Sequence, residues 1–152
     1  MLAIAAGHLD VFETLLHSDQ HPSNRVDVSI TDNVGSTLLH YAARQGNVYA
    51  VRMLLEIQTN GVPAVDVNAR DRHDKTPLML AIAAGHLDAF KTLLHSDTFV
   101  SSRVDVRATD IDGFTLLHYA AKQGNVDAFR MLLEIQTNGV PTLDVNARDR
   151  HD

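Results

Sequence analysis

Short apolar runs recur along the chain at helical spacing, each framed by polar punctuation. Val48, Val51 and Leu55 fall on one face of a helix with Ala50 and Leu54 beside them, and Leu87, Phe90 and Leu94 repeat the arrangement. Each amphipathic segment follows a shorter one that opens on threonine and closes on glycine: Thr37 to Gly46, Thr76 to Gly85, Thr115 to Gly124. A threonine hydroxyl at a helix start accepts a hydrogen bond from a free amide of the first turn. Pro77 takes the first helical position, where a missing N–H costs least. The closing glycine supplies a left-handed residue that ends the helix. The pattern predicts helix, tight turn, helix.

These segments repeat one another. Thr37, Thr76 and Thr115 are evenly spaced, since 76 − 37 and 115 − 76 both equal 39, a period found in helical solenoids. Two subtypes alternate. Thr37-Leu-Leu-His-Tyr-Ala-Ala-Arg-Gln-Gly46 and Thr115-Leu-Leu-His-Tyr-Ala-Ala-Lys-Gln-Gly124 are of one kind, and Thr76-Pro-Leu-Met-Leu-Ala-Ile-Ala-Ala-Gly85 is of the other. Residues 1–74 align without a gap on residues 79–152, an offset of 79 − 1 = 78, and 58 of the 74 pairs are identical. The chain is nearly two copies of one unit. Ala42, Ala43, Ala81, Ala120 and Ala121 are expected to be small because neighbouring helices approach closely there. Asn60-Gly61 followed by Pro63 reads as a helix stop and loop.

Composition narrows the class. The chain is 45% hydrophobic and 21% charged, too apolar for disorder. Aromatics make up 5% with no Trp, which favours closely packed helices over a sheet core. A formal charge of −6, from 13 Lys+Arg against 19 Asp+Glu, makes nucleic acid a poor partner. The absence of cysteine excludes disulfides and thiolate metal sites. The apolar run Met1 to Ala6 is too short to span a bilayer and lacks a basic leader region. A cytoplasmic setting is expected.

These residues resemble the ankyrin repeat. Its pattern is D-x-x-G-x-T-P-L-H-x-A-A-x-x-G, a second helix ending in Leu-Leu, then Asp-Val-Asn. Asp110-Ile-Asp-Gly113-Phe-Thr115-Leu-Leu-His118-Tyr-Ala-Ala-Lys-Gln-Gly124, Leu132-Leu133 and Asp144-Val-Asn-Ala147 match it, and Thr76-Pro-Leu78 supplies the Thr-Pro-Leu. The resemblance covers essentially the whole chain. It implies an all-α solenoid of helix-turn-helix repeats with short β-hairpin loops. One domain is expected over residues 1–152: a truncated repeat 1–31, repeats 32–70, 71–109 and 110–148, and the start of another at 149–152.

The departures from the pattern are informative. Each repeat exceeds the family's usual length of about 33 residues by about six, with the excess at residues 56–65 and 95–104, where loops absorb length cheaply. Leu38 and Leu116 replace the usual Pro. Met79 replaces a histidine that the family uses as a hydrogen-bonding bridge near the hairpin. Asp74 stands where Gly113 stands in its neighbour, and Asp tolerates positive φ better than most residues. Met1 aligns with the internal Met79, and neither end shows a polar capping repeat. A piece of a longer array, or an engineered repeat, is therefore expected, with end-to-end self-association open to it.

In the family, hairpin tips and the exposed side of the first helix line a concave binding face. Carried over by position, the tips are Asn33, Val34 and Ser36; Arg72, His73 and Lys75; Ile111, Asp112 and Phe114. The first-helix positions are Arg44, Gln45, Ala83, Ala84, Lys122 and Gln123. The two copies differ at all three tip pairs, Asn33/Ile111, Val34/Asp112 and Ser36/Phe114, yet agree through most of the helical framework. A constant scaffold with variable contacts would give this. So would tolerant exposed turns, since Pro22, Asn24 and Ala64 in the loops differ as freely. Phe114 is either an interface anchor, as aromatics often are, or a residue folded back onto the neighbouring hairpin.

Other chemistry finds little support. Among the nine histidines, His40 and His118 occupy the family's structural position, and His8, His86, His17 and His95 recur at fixed repeat positions. His73, between Asp71 and Asp74, lacks a spaced second ligand. Asp110-Ile-Asp-Gly113 begins like a calcium loop that is not completed. Catalytic and nucleotide-binding motifs are absent. The expectation is a module binding another protein, with no cofactor, metal, nucleic acid or membrane and no enzymatic activity. The acidic balance points to a partner with some basic surface. Two alternatives stay open: a structural array segment or designed scaffold without a ligand, and a recruitment module for a catalytic domain outside the chain.

Overall fold

A computed structural model describes residues 27–59, 62–96 and 104–137, together with Thr14. Three helix pairs follow in order: α1 (Leu38–Arg44) with α2 (Val48–Glu56), α3 (Pro77–Ala83) with α4 (Leu87–Leu94), and α5 (Leu116–Gln123) with α6 (Val126–Thr137). Residues 1–13 and 15–26, which include His8 and His17, Asn60-Gly61, residues 97–103 and residues 138–152, which include Asp144-Val-Asn-Ala147, lie outside the described residues.

The helix starts obey the threonine signal. Thr37 has extended backbone, its hydroxyl accepts the His40 N–H, and His40 Nδ1 accepts the Thr37 N–H at 3.1 Å. Thr115 and His118 repeat this reciprocal cap at α5. The cap offsets the missing proline at Leu38 and Leu116. At α3, Thr76 caps the Met79 N–H at 3.3 Å with Pro77 beside it, and Met79 returns no bond. Second helices differ by subtype. Asn47 and Asn125 cap the Ala50 and Ala128 N–H groups at 3.0 Å, whereas His86 starts α4 with no side-chain cap.

α1 packs on α3 and α3 on α5, while α2, α4 and α6 form a second layer behind them. The apolar stripes meet between the layers, where Leu39, Leu54, Leu55, Met79, Ile82, Phe90, Leu93, Leu116 and Leu132 are buried. Burying each such side chain contributes roughly 1.5–3 kcal/mol. Val65, Val67, Val106 and Ala108 bring the inter-repeat loops into the same core. Ala42, Ala43, Ala81 and Ala120 are buried as their small size implies. Ala121 is instead exposed, because no helix among the described residues packs on the far side of α5.

The extra residues are not simply loop. Gln58–Thr59 (β1) pairs antiparallel with Val62–Pro63 (β2), and the Ala64 N–H donates to the Ile57 carbonyl at 2.9 Å. In the second copy the same Glu-Ile-Gln-Thr stretch stays helical to Thr137, whereas in the first copy the helix ends at Glu56, ahead of Asn60-Gly61. Between repeats, the Asn68 side chain accepts the Asp105 N–H at 2.8 Å and Arg70 donates to the Thr109 carbonyl at 3.1 Å.

Candidate partner-binding face

Each hairpin is built by one aspartate. Oδ1 of Asp32 accepts the N–H groups of Val34 and Ser36 at 2.9 and 2.8 Å. Asp71 does the same for His73 and Lys75 at 2.8 and 3.0 Å, and Asp110 for Asp112 and Phe114 at 3.0 and 2.8 Å. Each turn closes on a left-handed residue, Gly35, Asp74 or Gly113, and Asp74 reaches φ 57° without being glycine. The tips are then joined to one another. The Arg72 N–H donates to the Val34 carbonyl and the Ile111 N–H to the His73 carbonyl, both at 2.9 Å. A row of rigid tips results.

Asn33, Val34, Arg72, His73, Ile111 and Asp112 are exposed along that row. Val34 and Ile111 keep 44% and 41% of their surface in solvent. Ser36 lies buried beneath its tip at 8%, and Lys75 and Phe114 are half-buried. On the first helices Arg44, Gln45, Ala84, Lys122 and Gln123 are exposed and Ala83 is half-buried. Gln123 reaches back across the repeat boundary, its side-chain amide donating to the Ala83 carbonyl. It ties α5 to the end of α3.

The second carboxylate oxygen of two hairpin aspartates takes a tyrosine. Tyr41 donates to Asp32 Oδ2 at 2.7 Å and Tyr119 to Asp110 Oδ2 at 2.6 Å. The Tyr41 hydroxyl holds the Asp32 carboxyl below its usual range, and that carboxylate raises the Tyr41 phenol. Burial first, and Asp110 second, push the Tyr119 phenol up. The tyrosine rings also serve as platforms. The Arg44 guanidinium lies 5.0 Å from the Tyr41 ring centre, and the Lys75 ammonium 5.9 Å from that of Tyr119. Phe114 packs edge-on against His118 at 5.5 Å and tilts against Tyr119 at 6.0 Å. Lys122 lies 5.9 Å from its ring. Phe114 thus folds onto its own repeat while supporting a cation.

A family model described as ankyrin repeats (3 copies) matches residues 1–104, and one described as ankyrin repeats (many copies) matches residues 97–133. The chain belongs to the ankyrin-repeat family. Ankyrin repeats are generally protein–protein interaction modules and are typically non-catalytic. No curated protein matches the chain. The helix pairs and hairpins described above are those of an ankyrin stack.

Residue-type reasoning alone passed over Tyr41 and Tyr119. The signal was present: tyrosine follows the hairpin aspartate by nine residues in both repeats of one subtype, and Leu80 takes its place in the other. At His73, the Asp71 carboxylate is engaged by the turn itself, and among the described residues no group of three metal-ligating side chains is gathered. No described helix is long and apolar enough to cross a membrane.

Proposed function

We propose that this ankyrin domain binds a partner protein across its hairpin tips and first helices. The observation that carries the reading is the row of tips fixed by the Arg72–Val34 and Ile111–His73 backbone bonds. A surface fixed before binding loses little conformational entropy when a partner docks. Its make-up suits protein contact, with apolar Val34 and Ile111 on either side of Arg72 and His73. Ser36 and Gln123 serve the scaffold in this reading, while Asn33, Val34, Arg44, Arg72, His73, Ile111, Asp112 and Lys122 offer themselves to the partner. Gln45 stands beside them at the end of α1.

The test is affinity capture with three baits: wild type, Val34→Ser/Arg72→Ala/Ile111→Ser, and Arg52→Ala/Arg130→Ala on the exposed second-helix surface. Circular dichroism verifies that all three are folded. A protein held by the wild type and the second-helix variant but lost from the tip variant supports the reading. Equal capture by all three removes it.

A further inference from the structure

Resting on that reading, we infer that the partner presents an acidic, carboxylate-bearing segment to a line of aromatic-supported cations formed by Arg44, Lys75 and Lys122. This runs against the chain's overall charge of −6, which taken alone favours a basic partner. The sum of charges is a poor guide to one face. The hairpin carboxylates keep their charge, but their acceptor positions are taken up within the fold: Asp32 and Asp110 each accept two backbone N–H groups and a tyrosine hydroxyl. Asp71 accepts two backbone N–H groups. At the three described tips, Asp74 and Asp112 are the exposed acids. Against them stand Arg44, Arg72, Lys75 and Lys122, none of which makes an ion pair with a carboxylate among the described residues.

The aromatic rings give these cations a defined place. A lysine or arginine loses much rotamer freedom when it engages a partner. Here that loss is largely incurred before binding, because Arg44 lies over Tyr41, Lys75 over Tyr119 and Lys122 over Phe114. The supports are themselves fixed, since Tyr41 and Tyr119 are tethered through their hydroxyls and Phe114 is wedged against His118 and Tyr119. The arrangement follows the alternation of repeats. One subtype supplies the first-helix cation at Arg44 and Lys122, and the other, with Ala83 there, supplies the hairpin cation Lys75. A partner's carboxylates would meet cations in a zigzag across three repeats.

Cations and aromatics together also suit single-stranded nucleic acid, but base stacking needs an open ring face. Tyr119 is buried, and Phe114 is half-buried with His118 at its edge. Carboxylates need only the cations. An acidic peptide fits where a base does not.

The experiment titrates the full chain with a fluorescein-labelled Glu/Ser peptide, its Lys/Ser counterpart and an oligo-dT of equal charge, read by anisotropy and by amide chemical shifts. The acidic peptide is expected to bind, shift the amides around Lys75, Phe114 and Lys122, and weaken with salt. Lys75→Gln/Lys122→Gln should weaken it about three- to tenfold, as expected for exposed charge contacts. Phe114→Leu, which keeps both charges but removes a ring support, should give a smaller loss. Arg52→Gln/Arg130→Gln removes the same charge from the second helices and should change nothing. Equal loss in that control, absence of acidic-peptide binding, or a preference for oligo-dT overturns the inference. Shifts on the same face caused by the Lys/Ser peptide alone would overturn the charge assignment and leave the face standing. Acidic-peptide shifts confined to the surface around Arg52 and Arg130 would remove the face as well.

Discussion

The His40 imidazole joins two repeats: Nδ1 accepts the Thr37 N–H of its own helix cap, and Nε2 donates to the Lys75 carbonyl of the next hairpin at 2.9 Å. These two bonds require the neutral ring with its proton on Nε2. Burial holds the imidazole below its ordinary value of 6.5, outweighing the bond to Lys75 and the pull of Asp71 and Asp32 in the other direction. The unfolded chain therefore takes up a proton below 6.5 that the folded chain refuses. Stability is full above that pH and declines as pH falls below it. Urea denaturation between about pH 7.5 and 5.5 should show the decline. His40→Met, which installs the side chain found at Met79, should cost about 1–2 kcal/mol at neutral pH through the lost bonds. It should also flatten the profile in that window. An unchanged profile in the variant would assign the pH dependence to other groups.

The same two repeats also meet where a ring lies over a glycine. Gly46 has φ 68°, and a Cβ placed there would come within 2.5 Å of the His86 ring. Gly85 has φ 78° at the equivalent place but open space around it. Gly85→Ala should therefore cost only the left-handed backbone term, about 1–2 kcal/mol, and Gly46→Ala that plus displacement of His86. His86→Asn tests the reason. It removes the ring and offers α4 the side-chain cap that Asn47 and Asn125 give their helices, so alone it should stabilise by about 0.5–1 kcal/mol. In the Gly46→Ala background it should recover more than that. Additive effects would show that the ring does not limit the site.

Asp74 holds the left-handed turn position that Gly35 and Gly113 hold in the adjacent hairpins, at φ 57°. Removing its side chain separates two effects. Asp74→Ala keeps the Cβ and loses the local polar compensation, so thermal and urea melts should show a loss of about 1 kcal/mol. Asp74→Gly relieves the Cβ strain but frees the unfolded chain, and should leave a net gain of about 0.5 kcal/mol. If both variants lose stability equally, the aspartate side chain contributes more than turn geometry.

Much of this was legible because the repeat announces itself twice over, in period and in punctuation. Thr37, Thr76 and Thr115 cap helices, and Gly46, Gly85 and Gly124 take left-handed backbone, as their residue types require. What depends on neighbours was not legible. Ala43 and Ala121 occupy the same place in near-identical segments, yet one is covered by α3 and the other is exposed. Glu-Ile-Gln-Thr leaves the helix at Glu56 and continues it to Thr137, because local propensity is a weak preference that tertiary context overrides. At the face, composition gave a charge balance but not its distribution, since it takes the hydrogen bonds of Asp32 and Asp110 to show which acids are engaged.

Ser96 follows the end of α4 with its hydroxyl buried and without a hydrogen-bond partner among the described residues. Its equivalents one repeat away, 96 − 39 = 57 and 96 + 39 = 135, are Ile57 and Ile135, so the other subtype fills the position with an apolar side chain. A buried hydroxyl that finds no partner forfeits its bonds to water, at a cost of roughly 1–3 kcal/mol. Removing it leaves only a small void. Ser96→Ala should therefore raise the urea midpoint with an unchanged slope, corresponding to a gain of about 1 kcal/mol. Ser96→Thr, which keeps the hydroxyl and adds a methyl group, should not share the gain. If Ser96→Ala lowers stability instead, the hydroxyl has a partner in solution and the position is a polar contact of the repeat rather than an unfilled apolar one.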